Sequence, residues 1–289
     1  MSKRKKKILI IIFSLCFLFF TIGTVLGIIE HTNNEIVQEE YNELTNAFVI
    51  ANAPDKENWQ PQEFNYLTET EELSVQQKES EVQNTKQTQR KSDDMFDNIK
   101  VNYASLKKQN SDYIGWIHLG TGASYPIVQG KTIDDYLRVS FKKTKSTGGC
   151  IMLHPNNAPD FSDRNSVIYG HNMRNGTMFG QNKRYTDLNY LRLHPYFWIH
   201  VEDGYYVYQI FSCVITSDMT EVYRTGMVTD KHMAEYLEAV KPMAKYWLDE
   251  VKVTDSDSIV SLSTCYGAPG TSVRMVLQGK LLTFVSYGG

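Results

Sequence analysis

The chain has 289 residues, of which 42% are hydrophobic and 22% charged, which allows one sizeable domain plus additional segments. The formal net charge is −3, so the overall charge gives no reason to expect nucleic-acid binding. The four cysteines form no CxxC pair and no His/Cys cluster at metal spacing, which argues against a zinc site.

The N-terminus predicts a membrane anchor. Residues 1–7 contain five basic residues, and residues 8–29 run without a charge. At a rise of about 1.5 Å per residue, that apolar run spans roughly 33 Å, enough to cross a bilayer core. It is longer than the apolar region of a signal peptide and lacks a clear cleavage site. We therefore expect an uncleaved, single-pass anchor, with residues 1–7 in the cytoplasm and the rest of the chain outside.

Residues 30–91 predict a flexible extracellular linker. This segment carries 13 acidic and five basic residues, and its sparse apolar residues show little sustained periodicity. Such a chain buries too little surface to offset the entropy of ordering it. A short helix is expected over residues 41–50, and about 60 flexible residues have an r.m.s. reach of roughly 40–45 Å.

Residues 92–289 predict the folded domain, which is mostly β. A first helix begins near Ser92 and carries Met95, Phe96, Ile99, Tyr103 and Leu106 toward a core. Two further helices are expected at residues 186–193 and 231–247. The expected strands are 124–128, 149–154, 166–169, 196–202, 205–216, 258–265 and 272–284, with a hairpin turn at Asp203-Gly204 and a bend at Gly279-Lys280. Many short strands with few helices favour an antiparallel barrel or sandwich.

Three residues stand at the ends of these expected strands. His171 follows the run Val167-Ile168, Cys265 ends the segment that contains Ile259-Val260, and Arg274 opens the next strand nine residues later. A cysteine, a histidine and an arginine are what cysteine acyl transfer needs. An imidazolium favours the thiolate and can protonate a leaving amine, and a guanidinium can stabilise an oxyanion.

Spacing alone leaves an ordinary structural role open for each residue. Cys265 could be a buried packing thiol, His171 a satisfied surface histidine, and Arg274 a salt-bridge partner. Cys150 and Cys213 fit buried, inert thiols, and a disulfide between them is also open.

The motifs around these residues resemble those of sortases. Leu262-Ser263-Thr264-Cys265 resembles the family's Leu-x-Thr-Cys signature, and residues 273–276 resemble the strand that supplies its arginine. Residues 169–173 (YGHNM) resemble the histidine motif, and residues 174–179 (RNGTMF) extend it in the manner of class B sortases. The resemblance covers about residues 92–289.

The resemblance implies a closed β-barrel of about eight strands with flanking helices. Cys265 would attack the carbonyl of a Thr in a C-terminal sorting signal of a secreted protein, with His171 as proton donor and Arg274 holding the oxyanion or the peptide. Ser263 and Thr264 would line the substrate groove. An amine, usually from the peptidoglycan cross-bridge, would resolve the thioester, and no cofactor or metal would be required.

Two departures from the family pattern stand beside this hypothesis. Residues 266–270 (YGAPG) offer no carboxylate after Cys265, although some class B members carry one, and no Asp-Pro-aromatic lid motif is present upstream. The acceptor could instead be a pilin amine, as in a pilin-polymerising class B sortase. A surface cysteine protease also fits these residues and, in a different functional class, so does a tethered binding or adhesion module.

Overall fold

The computed structural model describes residues 3–51, 99–217, 220–268 and 270–287. Eleven strands are present among these residues, numbered in chain order: β1 (Val49–Ala51), β2 (Ile99–Val101), β3 (Tyr113–Leu119), β4 (Ser124–Val128), β5 (Ile151–Leu153), β6 (Asn165–Tyr169), β7 (Tyr196–His200), β8 (Gly204–Ser217), β9 (Ala244–Trp247), β10 (Ile259–Cys265) and β11 (Val273–Ser286).

Eight of these strands close into a barrel, which confirms the expected fold class. The order around the barrel is β11, β10, β6, β5, β4, β3, β7 and β8, and β8 then pairs with β11 to complete the circle. β9 pairs with residues 212–214 of β8, beyond the residues of β8 that pair with β7, and β1 pairs with β2 in a separate two-stranded sheet. Most neighbours are antiparallel, but β6 runs parallel to β10 and β4 runs parallel to β5.

The long strand β11 bends where the sequence predicted it would. Its pairing with β8 shifts register between Gln278 and Gly279. A Cβ at Gly279 would overlap the ring of Phe197 in β7, so glycine is needed at this bulge to leave room for that ring. The Asp203-Gly204 turn is also confirmed, since the Val201 N–H donates to the Gly204 carbonyl (2.9 Å) and closes it.

The helix at the N-terminus, α1 (Lys3–Phe48), corrects the expected linker. It continues without a break from the apolar stretch through residues 30–48, and Val37, Tyr41 and Leu44 are buried in the domain core. These residues recur at intervals of three and four, which places them on one helical face. The expected flexible chain is therefore wrong over residues 30–48, while residues 52–91 of that prediction lie outside the described part of the chain. By length and composition α1 can cross a membrane.

The other helices within the described ranges are α2 (Tyr103–Gln109), α3 (Leu188–Leu193) and α4 (Asp230–Val240), with 3₁₀ turns at Gly180–Thr186, Glu221–Tyr223 and Lys241–Met243. The helix expected to begin near Ser92 is wrong at Ile99, which lies in β2, and its first residues fall outside the described chain. The helix expected over 231–247 ends at Val240. Pro242 follows two residues later, where it cannot donate a backbone hydrogen bond. Residues 241–243 form the 3₁₀ turn, and β9 takes up residues 244–247.

Helix α4 lies over the outer face of β6, β10 and β11. The Tyr236 hydroxyl of α4 accepts a hydrogen bond from Gln278 Nε2 of β11 (2.5 Å), and Asn165 of β6 accepts one from the Ser261 hydroxyl of β10 (2.9 Å). These polar side chains of the strands are buried. The candidate site lies where β6 and β10 end and β11 begins, at Tyr169, Cys265 and Val273.

Candidate active site

Cys265 and Arg274 lie directly opposite each other. They are paired across the antiparallel strands β10 and β11, and side chains of such a pair lie on the same face of the sheet with Cβ atoms about 4.5–5.5 Å apart. The nine-residue return predicted from the sequence therefore brings Arg274 beside Cys265 in the sheet. The turn between them is closed by the bond from Tyr266 N to Val273 O (2.9 Å).

Cys265 differs from the domain's other two thiols in its exposure. It is the last residue of β10 and is exposed, whereas Cys150 and Cys213 are buried. Burial raises the pKa of each of these two thiols to about 12, so both are protonated and unreactive at neutral pH. All four cysteines are free, so the Cys150–Cys213 disulfide is not formed.

His171 is brought to the same end of the barrel by β6. Tyr169, the last residue of β6, pairs with Ser263 of β10, and the next residue, Gly170, donates its N–H to the Ser263 carbonyl (3.1 Å). The chain then passes beside Cys265, because the side-chain amide of Asn172 donates to the Cys265 carbonyl (2.9 Å). The structure thus brings the histidine segment and the cysteine strand into direct contact.

The imidazole of His171 is held by a backbone carbonyl. Its Nε2 lies 2.9 Å from the Leu137 oxygen, so a proton on Nε2 is donated to that carbonyl. Burial lowers the pKa of His171 below its ordinary value, the bond to Leu137 opposes this, and the neighbouring positive charge of Arg138 lowers the pKa further. The imidazole is therefore mainly neutral at neutral pH.

The Arg274 side chain lies against its own loop. One guanidinium nitrogen donates to the Thr271 carbonyl (3.0 Å) and to the Val273 carbonyl (3.1 Å). The N–H groups of a guanidinium form a planar fork suited to carbonyl and carboxylate oxygens. The Arg274 side chain is half-buried.

Comparisons with known proteins agree with this geometry. A family model described as the Sortase domain matches residues 120–282. Sortase B of Listeria monocytogenes is 36% identical over 189 residues, which are 64% of this chain and 76% of that protein. Sortase B of Staphylococcus aureus is 31% identical over 188 residues, 64% of this chain and 77% of that protein. The crystal structure of Clostridium perfringens sortase B superposes with a TM-score of 0.58 at 32% identity, covering 62% of this chain and 99% of that one.

The chain belongs to the sortase family, and within it to class B. Sortases are cysteine transpeptidases, so this sortase is an enzyme of that kind. Among the residues that the structure describes, no three histidine, cysteine or carboxylate side chains cluster closely enough to hold a metal ion.

The two expected groove residues of this sortase are buried. Ser263 and Thr264 are 2% and 4% exposed, and their neighbouring positions in β10 place them on opposite faces of the sheet. The Ser263 hydroxyl is 2.9 Å from the Tyr223 hydroxyl, and the ring of Tyr223 stacks on Tyr169, with centroids 6.2 Å apart. The Thr264 hydroxyl has no hydrogen-bond partner within the described residues.

Sequence reasoning did not identify three residues that shape this site. Asn172 lies inside the histidine motif, but the motif gave no reason to expect its bond to the Cys265 carbonyl. Leu137 contributes through its backbone, and Tyr223 stands in a 3₁₀ turn. No periodicity marks either residue, so only the tertiary contacts reveal them.

Proposed function

We propose that this sortase is a membrane-anchored transpeptidase. It cleaves the C-terminal sorting signal of a secreted protein after a Thr and transfers that protein to an amine acceptor, usually the peptidoglycan cross-bridge. The observation that carries the proposal is the pairing of exposed Cys265 with Arg274 on a strand whose end is bonded to the residue after His171.

The chemistry has two steps. In the first, the Cys265 thiol passes its proton to His171, and the sulfur attacks the Thr carbonyl carbon. The peptide C–N bond then breaks, and the leaving amine takes the proton from His171. In the second, the acceptor amine attacks the thioester carbonyl, an amide forms, and the sulfur leaves with a proton returned through His171.

Arg274 acts on the charge that develops during these steps. Each tetrahedral intermediate carries a negative oxygen, and a guanidinium beside the nucleophile stabilises that oxygen or orients the peptide. Loss of one such donor costs about 3–4 kcal/mol of transition-state stabilisation. Ser263 and Thr264 contribute to the groove through the shape of β10 and, for Ser263, through its hydrogen bond to Tyr223.

The anchor gives the reaction its location. Residues 1–7 lie in the cytoplasm, α1 crosses the membrane, and the barrel faces outward. There it meets exported proteins that carry a sorting signal. The positive segment, the apolar helix and the barrel follow one another in the chain in the order that this topology requires.

A fluorogenic sorting-signal peptide tests the nucleophile. We expect cleavage by the full chain and by Cys16→Ala, the control for an exposed cysteine outside the barrel, and none by Cys265→Ala. Trapping with labelled peptide should give a thioester on the full chain that hydroxylamine releases. Cleavage that persists in Cys265→Ala contradicts the assignment.

An added amine distinguishes transfer from hydrolysis. A glycine peptide should divert the acyl-enzyme into a new amide, whereas a surface protease would release the acid regardless of the amine. Replacing the glycine peptide with a lysine-containing pilin peptide tests for a pilin acceptor. Rapid, selective alkylation of Cys265 by iodoacetamide at neutral pH would count against an adhesion module, in which this thiol has no reactive role.

A further inference from the structure

The carbonyl that holds His171 belongs to a long connection between β4 and β5. Leu137 lies in residues 129–150, where the chain forms turns and an isolated bridge between Val139 and Lys145. The orientation of the imidazole therefore depends on what fixes this connection, because the Leu137 oxygen is 2.9 Å from His171 Nε2.

Gly149 packs against that same carbonyl. Its φ is +56°, and a Cβ there would lie 2.7 Å from the Leu137 oxygen and 2.5 Å from the Tyr136 oxygen. The next residue, Cys150, donates its N–H to the Tyr136 carbonyl (3.1 Å). The backbone at Gly149 is thus in van der Waals contact with the oxygen that orients the histidine.

Helix α1 fixes Gly149 in place. The hydroxyl of Tyr41, a residue only 2% exposed, donates to the Gly149 carbonyl (2.7 Å). The preceding residue, Glu40, is buried too, and its carboxylate accepts from the Ser140 hydroxyl and the Lys142 N–H (2.9 Å each). Both bonds of Glu40 hold the Leu137 connection against the helix.

Tyr41 is also connected to the segment around His171 through a second residue, Tyr125. Its ring packs edge-on against Tyr125, with centroids 5.3 Å apart. The Tyr125 hydroxyl accepts from the Met178 N–H (2.9 Å), and the next residue, Phe179, donates its N–H to the His171 carbonyl (2.9 Å). One side chain of α1 therefore supports both the backbone of His171 and the Leu137 connection, whose carbonyl bonds its imidazole.

We propose that Tyr41 is a positioning residue for His171, so that the helix carrying the apolar N-terminal stretch completes the active site. It acts through Gly149 and the Leu137 carbonyl on the imidazole, and through Tyr125 on the backbone of the histidine segment. The proposal rests on the proposed function in one respect, the role of His171 in proton transfer.

The test compares two hydroxyl deletions in the full chain, purified in detergent. Tyr41→Phe removes the bond to the Gly149 carbonyl and keeps the ring. Tyr246→Phe is the matched control, since its hydroxyl likewise donates to a backbone carbonyl, that of Thr186 (2.9 Å), outside this network. We expect Tyr41→Phe to lower kcat about tenfold with little change in KM, because small misplacements of catalytic groups reduce the rate strongly.

The pH profile separates positioning from a general loss of structure. Burial is the main cause that lowers the pKa of His171, and a loosened connection admits water. The limb of the pH–rate profile that reports His171 should therefore move toward higher pH in Tyr41→Phe and stay in place in Tyr246→Phe. A Tyr41→Phe enzyme with wild-type kcat and an unmoved limb overturns the proposal, and so does a loss confined to KM.

Gly149→Ala provides a second test at the other end of the contact. Gly122→Ala is its control, because Gly122 also has positive φ (+85°) but open space around its Cβ position. The proposal expects Gly149→Ala to reduce kcat and shift the limb as Tyr41→Phe does, with Gly122→Ala near wild type; equal effects of the two alanines contradict it.

His171→Ala keeps the two proposals apart. If His171→Ala stays active, the proposed function fails. If it is inactive while Tyr41→Phe behaves as wild type, the positioning role alone fails.

Discussion

The side-chain amide of Asn172 donates a hydrogen bond to the backbone carbonyl of Cys265 across 2.9 Å. The two residues are 93 positions apart in the chain. Asn172 follows His171, and Cys265 is the proposed nucleophile. Together with the bond from the Gly170 N–H to the Ser263 carbonyl, this bond connects the segment that carries His171 to the strand that ends at the thiol.

Replacing Asn172 tests the value of that connection. Asn172→Ala removes the donor, and we expect kcat to fall about tenfold because the histidine segment loses its side-chain bond to the Cys265 carbonyl and keeps only its backbone pairing with β10. Asn172→Asp should lower kcat further, since a carboxylate would face the carbonyl oxygen of Cys265. Steady-state kinetics with the sorting peptide measure both, with exposed Asn189→Ala as control. Wild-type activity in Asn172→Asp would show that the bond is dispensable.

Arg274→Lys tests the guanidinium. Lysine keeps the positive charge but loses the planar fork, and it cannot both contact the loop carbonyls of Thr271 and Val273 and reach an oxyanion. We expect kcat to fall by about two orders of magnitude, comparable to the loss of one oxyanion donor, with Tm unchanged.

The control for this substitution is Arg192→Lys. Arg192 contacts Glu250 on the surface, with both side chains 55% exposed, and such pairs contribute little to stability. Near-wild-type turnover in Arg274→Lys would remove Arg274 from the site.

The dependence of the rate on pH should be bell-shaped. In the proposed mechanism Cys265 and His171 exchange one proton, so the two limbs of the profile belong to the pair. Because burial lowers the pKa of His171 below 6.5, we expect the lower limb of kcat/KM on the acidic side of that value. A flat profile from about pH 5 to 10, with chemistry rate-limiting, would contradict the shared proton.

A second histidine should make the fold sensitive to acid. His200 of β7 is buried, its Nδ1 lies 2.5 Å from the Tyr287 hydroxyl, and its ring centroid is 5.0 Å from that of His118. Burial lowers the pKa of His200 to about 4 and also lowers the pKa of His118, which the nearby His200 lowers further. The folded barrel therefore keeps both imidazoles neutral where the unfolded chain would bind protons.

The free energy of unfolding should fall as pH decreases through this range. The contribution of His200 is fully present above its unfolded pKa of about 6.5 and is lost progressively toward pH 4, amounting to about 3 kcal/mol. Thermal unfolding at pH 7, 5 and 4 measures it. His200→Gln should show a smaller loss of Tm on acidification than the wild type, whereas His31→Gln, on an exposed part of α1, should not. Equal slopes in all three proteins would contradict the assignment.

The sequence predicted the barrel well where its strands alternate or carry long apolar runs. β4 was located to the residue, and β6, β7, β8, β10 and β11 within a few residues. β3 was missed because all seven of its residues are buried, so it shows no alternation, and it contains Gly115 and His118. β9 was merged into α4, although Pro242 marks where the helix ends.

The candidate site was predictable for a different reason. Cys265, His171 and Arg274 are each at the boundary of a predicted strand, and strand pairing then brings the first and last of them side by side. What the sequence could not supply are the bonds that depend on distant connections. The Leu137 carbonyl contacts His171 from a long connection, and the Tyr41 hydroxyl bonds that connection at Gly149 because α1 continues into the domain and packs there. The polar composition of residues 30–48 concealed that burial.

The unbroken course of α1 makes chain length a functional property. Each residue of a helix turns the chain by about 100° and advances it by about 1.5 Å. One residue inserted between Ile29 and Val37 would therefore rotate the end of the barrel that carries Cys265 by more than a quarter turn relative to any bilayer that holds the apolar stretch. A pliable tether would absorb that insertion. Here it would change the direction from which a membrane-bound substrate can enter.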